Sequence, residues 1–135
     1  MTSAAHPARV AGLASQAAVR EKRKDEWLGL FADNARVEDP IGVSPYDPAG
    51  QGHFGRDAIA AFWDKAIAPS EIDFRWTDSF ACGDEAAFTG TIRSARGEVA
   101  VEVDLVATYR VNGEGKIVAL RAFWELEPAR TTPLG

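Results

Sequence analysis

At 135 residues, with a formal net charge of −5 and 46% hydrophobic content, the chain has the size and composition of one globular domain. The acidic balance argues against a nucleic-acid partner, which calls for a basic face to neutralise phosphates. Cys82 is the only cysteine, so neither an intramolecular disulfide nor a paired-cysteine metal site can form, and residues 1–18 hold no continuous apolar run of the kind a signal peptide or membrane span needs. These features predict a cytoplasmic protein with no membrane partner.

The first helical pattern runs over 7–24, where Val10, Leu13, Ala14 and Ala17 fall at i, i+3, i+4 and i+7. The basic run at 20–24 reads as a solvated helix end, with cations suited to the helix dipole. Asp25 is placed to cap a second short helix over 26–31 that turns Trp27, Leu30 and Phe31 inward, and Asp33-Asn34 to end it in a turn. Val37-Glu38-Asp39 is extended, because Pro40 pushes Asp39 out of the helical region. Residues 41–55 are rich in glycine and proline and read as a loop. An amphipathic helix follows over 56–68, with Ile59, Phe62, Trp63 and Ala66 on one face and Pro69 as its stop.

The period then changes to two. Ile72, Phe74, Trp76, Phe80 and Cys82 alternate with more polar neighbours. Asp78 falls on that same face, either as a cavity carboxylate or as a residue turned outward by a bulge. Gly83-Asp84 leads into a strand over 86–93, and Ala95-Arg96-Gly97 turns the chain again. Val99, Val101, Val103, Leu105, Ala107, Tyr109 and Val111 form one face of a long strand, with Glu102, Asp104, Thr108 and Arg110 on the other. Asn112-Gly113-Glu114-Gly115 is a hairpin signal, and the last strand aligns Val118, Leu120, Ala122, Trp124 and Leu126. Helices first and antiparallel strands after them predict an α+β fold: one domain over 1–135, helices on one side of a curved sheet, and a loose tail at 129–135.

The segment Phe31-Ala32-Asp33-Asn34-Ala35-Arg36-Val37-Glu38-Asp39-Pro40-Ile41-Gly42 resembles the one that carries the catalytic base in ketosteroid isomerases, roughly F-A-D-D-A-x-V-E-D-P-V-G. Ala58-Ile59-Ala60-Ala61-Phe62-Trp63, Asp84-Glu85-Ala86-Ala87-Phe88, and the Arg110–Lys116 hairpin followed by Leu120-Arg121-Ala122 agree in order and spacing. Over about residues 8–126 the chain thus resembles the ketosteroid isomerase branch of the nuclear-transport-factor-2-like (SnoaL-like) superfamily. That resemblance implies a cone-shaped fold, in which a bent sheet wraps its N-terminal helices around an apolar pocket. It also implies a homodimer, no cofactor, no metal, and a steroid-like hydrophobic small molecule as partner. Asp39 takes the position of the catalytic base; Ser15, Phe31, Phe62, Trp63, Phe88, Ala107, Tyr109, Leu120 and Trp124 become candidate substrate-binding residues.

Isomerising a β,γ-unsaturated ketone moves a proton from the carbon beside the carbonyl to one two carbons away, and one carboxylate can carry it both ways. The enolate formed between needs hydrogen-bond donors at its oxygen. By the resemblance, the family's donor tyrosine falls on Ser15, its protonated aspartate on Ala107, and the supporting tyrosine on Trp63, so the oxyanion donors are changed. Tyr109 has the parity to replace them, or else is a core tyrosine satisfied elsewhere. The Trp63 indole is explained by helix packing, and Asp104 has outward parity. His6 and His53 lie apart, in the tail and the loop, and suggest no metal site. The loop after Asp39 is longer than in the isomerases of this branch, and serves as a pocket lid or as a plain surface insertion.

Two other functions compete with the isomerase. One is a steroid- or lipid-binding protein without catalysis, favoured by the changed donors. The other is a cyclase, dehydratase or epoxide hydrolase in the same cavity; the hydrolases of this superfamily use an Asp–Arg–Asp set, for which Arg93 and the outward-facing Arg121 are the available arginines.

Overall fold

The computed structural model describes residues 5–125 and 129–134. Helix α1 spans Pro7–Arg20, with proline at its start and the His6 ring nitrogen accepting from the Ala8 N–H at 3.1 Å. It stops before the basic run ends, because Lys22 adopts a positive φ of 59°. Helix α2 spans Lys24–Gly29 and carries Asp25 in its first turn, where its charge suits the dipole, rather than at the cap.

The buried side of α1 is not the one its larger residues suggest. Val10 and Leu13 are 51% and 48% exposed, whereas Ala8, Ala11, Gly12, Ser15 and Ala18 are buried. The reason is the closeness of the sheet: a Cβ on Gly12 would stand 2.7 Å from the Phe88 ring and 2.8 Å from that of Tyr109. Only small residues fit that approach.

Strand β1, Phe31–Glu38, begins at Phe31, and Asp33-Asn34 lies within the strand rather than in a turn. Strand β2, His53–Phe54, pairs with Arg36 and Val37 and folds the intervening loop back over the sheet. Inside that loop the Asp47 carboxylate accepts from the N–H groups of Gly50 at 3.1 Å and Gly52 at 2.7 Å, which gives the segment a fixed form. Helix α3, Arg56–Phe62, widens into a π turn at Trp63–Ile67, and Pro69 follows. Its final carbonyls are capped from a distance. The Lys22 ammonium donates to the carbonyls of Ile67 and Ala68 at 2.9 Å each, and to that of Ser70.

The remaining strands are β3 (Glu71–Cys82), β4 (Glu85–Arg96), β5 (Val99–Val111), β6 (Ile117–Phe123) and β7 (Arg130–Pro133). The spatial order is β2-β1-β6-β5-β4-β3, with β7 also pairing with β5. Successive strands from β3 to β6 are antiparallel as predicted, but β1 joins β6 in parallel, since it arrives from the helices on the opposite side of the chain path. The expected loose tail is instead strand β7, whose residues Arg130–Pro133 pair with Val99–Glu102 on the part of β5 that β6 leaves unpaired. Leu126, aligned above with Val118, Leu120, Ala122 and Trp124 on one face of the last strand, lies outside the described residues.

Strand β3 changes parity midway. Trp76 stands opposite Gly90 and Asp78 opposite Thr89, so Thr77 is an extra residue that reverses every side chain beyond it. Asp78 is therefore exposed, which decides between its two readings. Phe80, 64% exposed, and Cys82 also face outward, against the simple alternation. The core gathers Trp27, Phe31, Val37, Ile59, Phe88 and Ile117 between the helices and the concave side of the sheet.

Candidate ligand-binding and active site

Alternation along β3, β4, β5 and β6 points one row of each strand toward the helices, but the curvature of the sheet leaves space that those side chains do not fill. The result is a cavity of about 670 Å³, within the range of small-molecule sites. Its wall is mainly aliphatic and aromatic, with Ile72, Phe74, Val101, Leu105 and Leu120 among the lining side chains. The loop after Asp39 contributes Pro45 and Tyr46, and the Tyr46 ring meets that of Phe62 edge-on at 6.3 Å.

Asp39 follows β1 and reaches the cavity across the β1–β6 pair. Its Oδ1 accepts from the Trp124 indole N–H at 2.7 Å. Burial raises its carboxyl above the ordinary carboxylate value; the Trp124 bond and the charge of His53 offset part of that effect. The His53 ring, held 4.7 Å from that of Phe62, is itself pushed below its usual value by burial. The carboxylate thus sits in an apolar wall with one hydrogen-bonding partner on its Oδ1.

A second polar group surrounds Tyr109. Trp76 donates its indole N–H to the Gln16 Oε1 at 2.6 Å, and Gln16 donates from its Nε2 to the Tyr109 hydroxyl oxygen at 3.4 Å. An indole nitrogen can only donate, so the Gln16 oxygen must face Trp76 and its amide nitrogen must face Tyr109. Tyr109 then receives a hydrogen bond and keeps its own hydroxyl proton to give. Ser15, on the same face of α1 and also at the cavity wall, accepts from the Trp27 indole N–H at 3.0 Å. Burial and the charge of Asp39 push the Tyr109 hydroxyl up to about 12, with Gln16 and Ser15 opposing. Tyr109 is therefore neutral at physiological pH and a donor.

Of the candidate residues, Ser15, Asp39, Phe62, Ala107, Tyr109, Leu120 and Trp124 meet around this one cavity. Phe31, Trp63 and Phe88 do not line it. They stand one layer behind: Phe31 and Trp63 pack on Trp27 with ring centres at 4.7 and 5.2 Å, and Phe88 packs on Trp76 and Tyr109 at 5.5 Å each. Inward parity is shared by cavity wall and solid core, so sequence alone did not separate them. Gln16 and Trp27 were missed as polar partners. The signal for Gln16 was faint, a single amide on the small-residue face of α1. Among the described residues no cluster of metal-ligating side chains forms, and no helix is long and apolar enough to cross a membrane.

Comparison with known proteins agrees with this fold. The family model for the SnoaL-like domain matches residues 13–120. Rv0760c from Mycobacterium tuberculosis is 35% identical, with 94% of this chain and 97% of that one aligned at a TM-score of 0.91; it has also been solved in complex with estradiol-17beta-hemisuccinate. Δ5-3-Ketosteroid isomerase from Mycobacterium sp. is 32% identical over 94% of this chain and 99% of its own, at a TM-score of 0.89. A computationally designed 17-OHP binder is 33% identical over the same shares, 94% and 99%, at 0.90. Structures described as epoxide hydrolases and a putative polyketide cyclase are at most 22% identical and share the fold alone.

Proposed function

The chain belongs to the SnoaL-like domain family, and on that footing we propose that its cavity binds a steroid-like hydrophobic ketone and moves a proton within it, with Asp39 as the base. The observation that carries this reading is the placement of the Asp39 carboxylate, bonded to Trp124, and the Tyr109 hydroxyl, which accepts from Gln16, in the same apolar cavity. In a bound β,γ-unsaturated ketone, the Asp39 carboxylate takes the proton beside the carbonyl. The electron pair moves onto the carbonyl oxygen, where the Tyr109 hydroxyl donates to the dienolate. The neutral Asp39 then returns the same proton to the far carbon of the dienolate, giving the conjugated ketone. Trp124 holds the carboxylate in place through both transfers. The reaction is proton-neutral and uses no cofactor. The mycobacterial isomerase and the steroid-bound Rv0760c support the ligand class.

The test is the appearance of conjugated 4-ene product from a 5-ene-3-ketosteroid, followed by absorbance. Tyr109→Phe is expected to slow that turnover by about 10²–10³-fold, the usual cost of one oxyanion donor. Wild-type protein that gives no turnover above background would remove the isomerase reading. The alternative, binding without chemistry, has its own support: Ala107, at the cavity wall, supplies no polar group. Saturable binding of the conjugated product, read by fluorescence of the cavity tryptophans, together with no turnover of the 5-ene ketone would leave binding without chemistry.

The expected homodimer is retained here as a proposal. A row across the outer face of the sheet runs from Phe123, 47% exposed, through its partner Val106, 36% exposed, to Thr89 and Thr77. Sedimentation velocity at micromolar concentration should show a two-chain species; a monomer would remove this part. The exposed free thiol of Cys82 suits a reducing compartment such as the cytoplasm.

A further inference from the structure

Arg96 ends strand β4 on the same parity as Ile92 and Ser94, and all three line the cavity. Its guanidinium is held in place rather than free to sweep. Nε donates to the buried Ser70 hydroxyl at 3.2 Å, and Nη2 donates to the Lys65 carbonyl at 3.0 Å. Those bonds use a minority of the five N–H donors of an arginine.

No carboxylate pairs with Arg96 among the described residues. Glu71 stands opposite Ala95, on the parity that turns away from the cavity. The Lys22 ammonium flanks the same turn, bonded to the carbonyls of Ile67, Ala68 and Ser70 and likewise without a carboxylate. Two cations therefore flank Ser70 without a counter-ion, in a chain whose net charge is −5.

The position along the cavity gives this arrangement meaning. Arg96 stands opposite Val99, whereas the β6 end that leads into Trp124 and Asp39 stands opposite Val106. Those two points are about 23 Å apart along the bent strand at 3.3 Å per residue. Both groups line one cavity, so a ketone held at Asp39 turns its remote end toward Arg96.

We propose that Arg96 makes this cavity selective for hydrophobic ketones that carry a carboxylate or similar anion at the end remote from the ketone. The inference rests on the reading of the cavity as a steroid-like ketone site. An anion there completes the guanidinium's unused donors and leaves the ketone facing Asp39 and Tyr109, so it sets the orientation as well as the affinity.

The test compares testosterone 17β-hemisuccinate with its methyl ester, which removes the charge and keeps the shape. Binding is read by tryptophan fluorescence, independently of turnover. Wild-type protein should bind the acid about tenfold more tightly than the ester, with the gap shrinking as salt is added. Arg96→Gln should close most of the gap by weakening the acid far more than the ester, and measurable ester binding by the variant shows that the cavity is intact. Equal affinities in the wild type, or a preference that survives Arg96→Gln, would overturn the proposal while leaving the cavity reading standing. Failure of both ligands to bind would overturn both.

Discussion

Asp39→Asn is expected to slow isomerisation of a 5-ene-3-ketosteroid by about 10²–10⁴-fold, the usual contribution of a positioned general base, and also to raise the unfolding midpoint at pH 7. The two effects have one cause. Burial raises the Asp39 carboxyl above its ordinary value, so the folded protein holds that proton more tightly than the unfolded chain does. Stability from this group is fully present below the unfolded carboxylate value of 3.8 and is lost as pH rises through the higher folded value. By pH 7 the folded wild type has given up stability that the neutral carboxyl supplies at low pH, whereas asparagine, which does not ionise, keeps its own. Its amide still offers an oxygen to the Trp124 indole N–H.

The same ionisation should appear in the rate. As Asp39 loses its proton, kcat/KM should climb with pH, with an inflection above the ordinary aspartate range, and level off above it. Urea unfolding of wild type and variant at pH 4 and pH 7 separates the stability effect from the catalytic one. The midpoints should differ more at pH 7. A variant that is no more stable at pH 7 would mean that the Asp39 charge is well solvated, and the proposed base would lose its physical ground.

Gly90→Ala should cost about 3 kcal/mol, near the upper range for forcing atoms into a filled interior. A Cβ at this position would lie 2.1 Å from the Arg75 carbonyl oxygen and 2.8 Å from the Trp76 Cα, both backbone atoms that no rotamer change can move. Gly90 faces Trp76 at the point where Thr77 is extra, so the missing side chain is what allows β3 to press against β4 and turn. The variant's urea midpoint and its Trp76 environment, seen by near-ultraviolet circular dichroism, should both shift. An unchanged midpoint would show that the bulge relaxes without resistance. Gly12→Ala makes a useful contrast, since its Cβ meets the Phe88 and Tyr109 side-chain rings and not backbone.

Much of this architecture was legible residue by residue. The alternation from Val99 to Val111, the helix over 56–68 and the Asn112–Gly115 turn all appear where the pattern put them, because each rests on local periodicity or on residues that tolerate a tight turn. The motif around Asp39 located the carboxylate at the cavity. The failures share a different character. Val10 and Leu13 misdirected α1 because hydrophobic size was read as burial, when the approach of Phe88 and Tyr109 admits only small residues. Phe80 and Cys82 were placed inward because Thr77, the extra residue, has no distinctive sequence. The tail was read as loose because a four-residue polar strand needs a partner edge to exist, and that edge belongs to β5.

The division for the site follows the same line. By itself the sequence determined that an acidic residue stands before Pro40 in an α+β chain of one domain's length, that the aromatic and aliphatic rows are periodic, and that Ala107 can donate nothing. Only the tertiary structure decided that Tyr109 receives from Gln16 and keeps a proton to give, that Trp124 holds Asp39, and that Arg96 borders the same cavity. Periodicity and turn chemistry act between neighbours in the chain, so they can be read along it. Each of the deciding contacts joins residues far apart in sequence, Gln16 to Tyr109 and Asp39 to Trp124, and exists only once the sheet has curved around the helices.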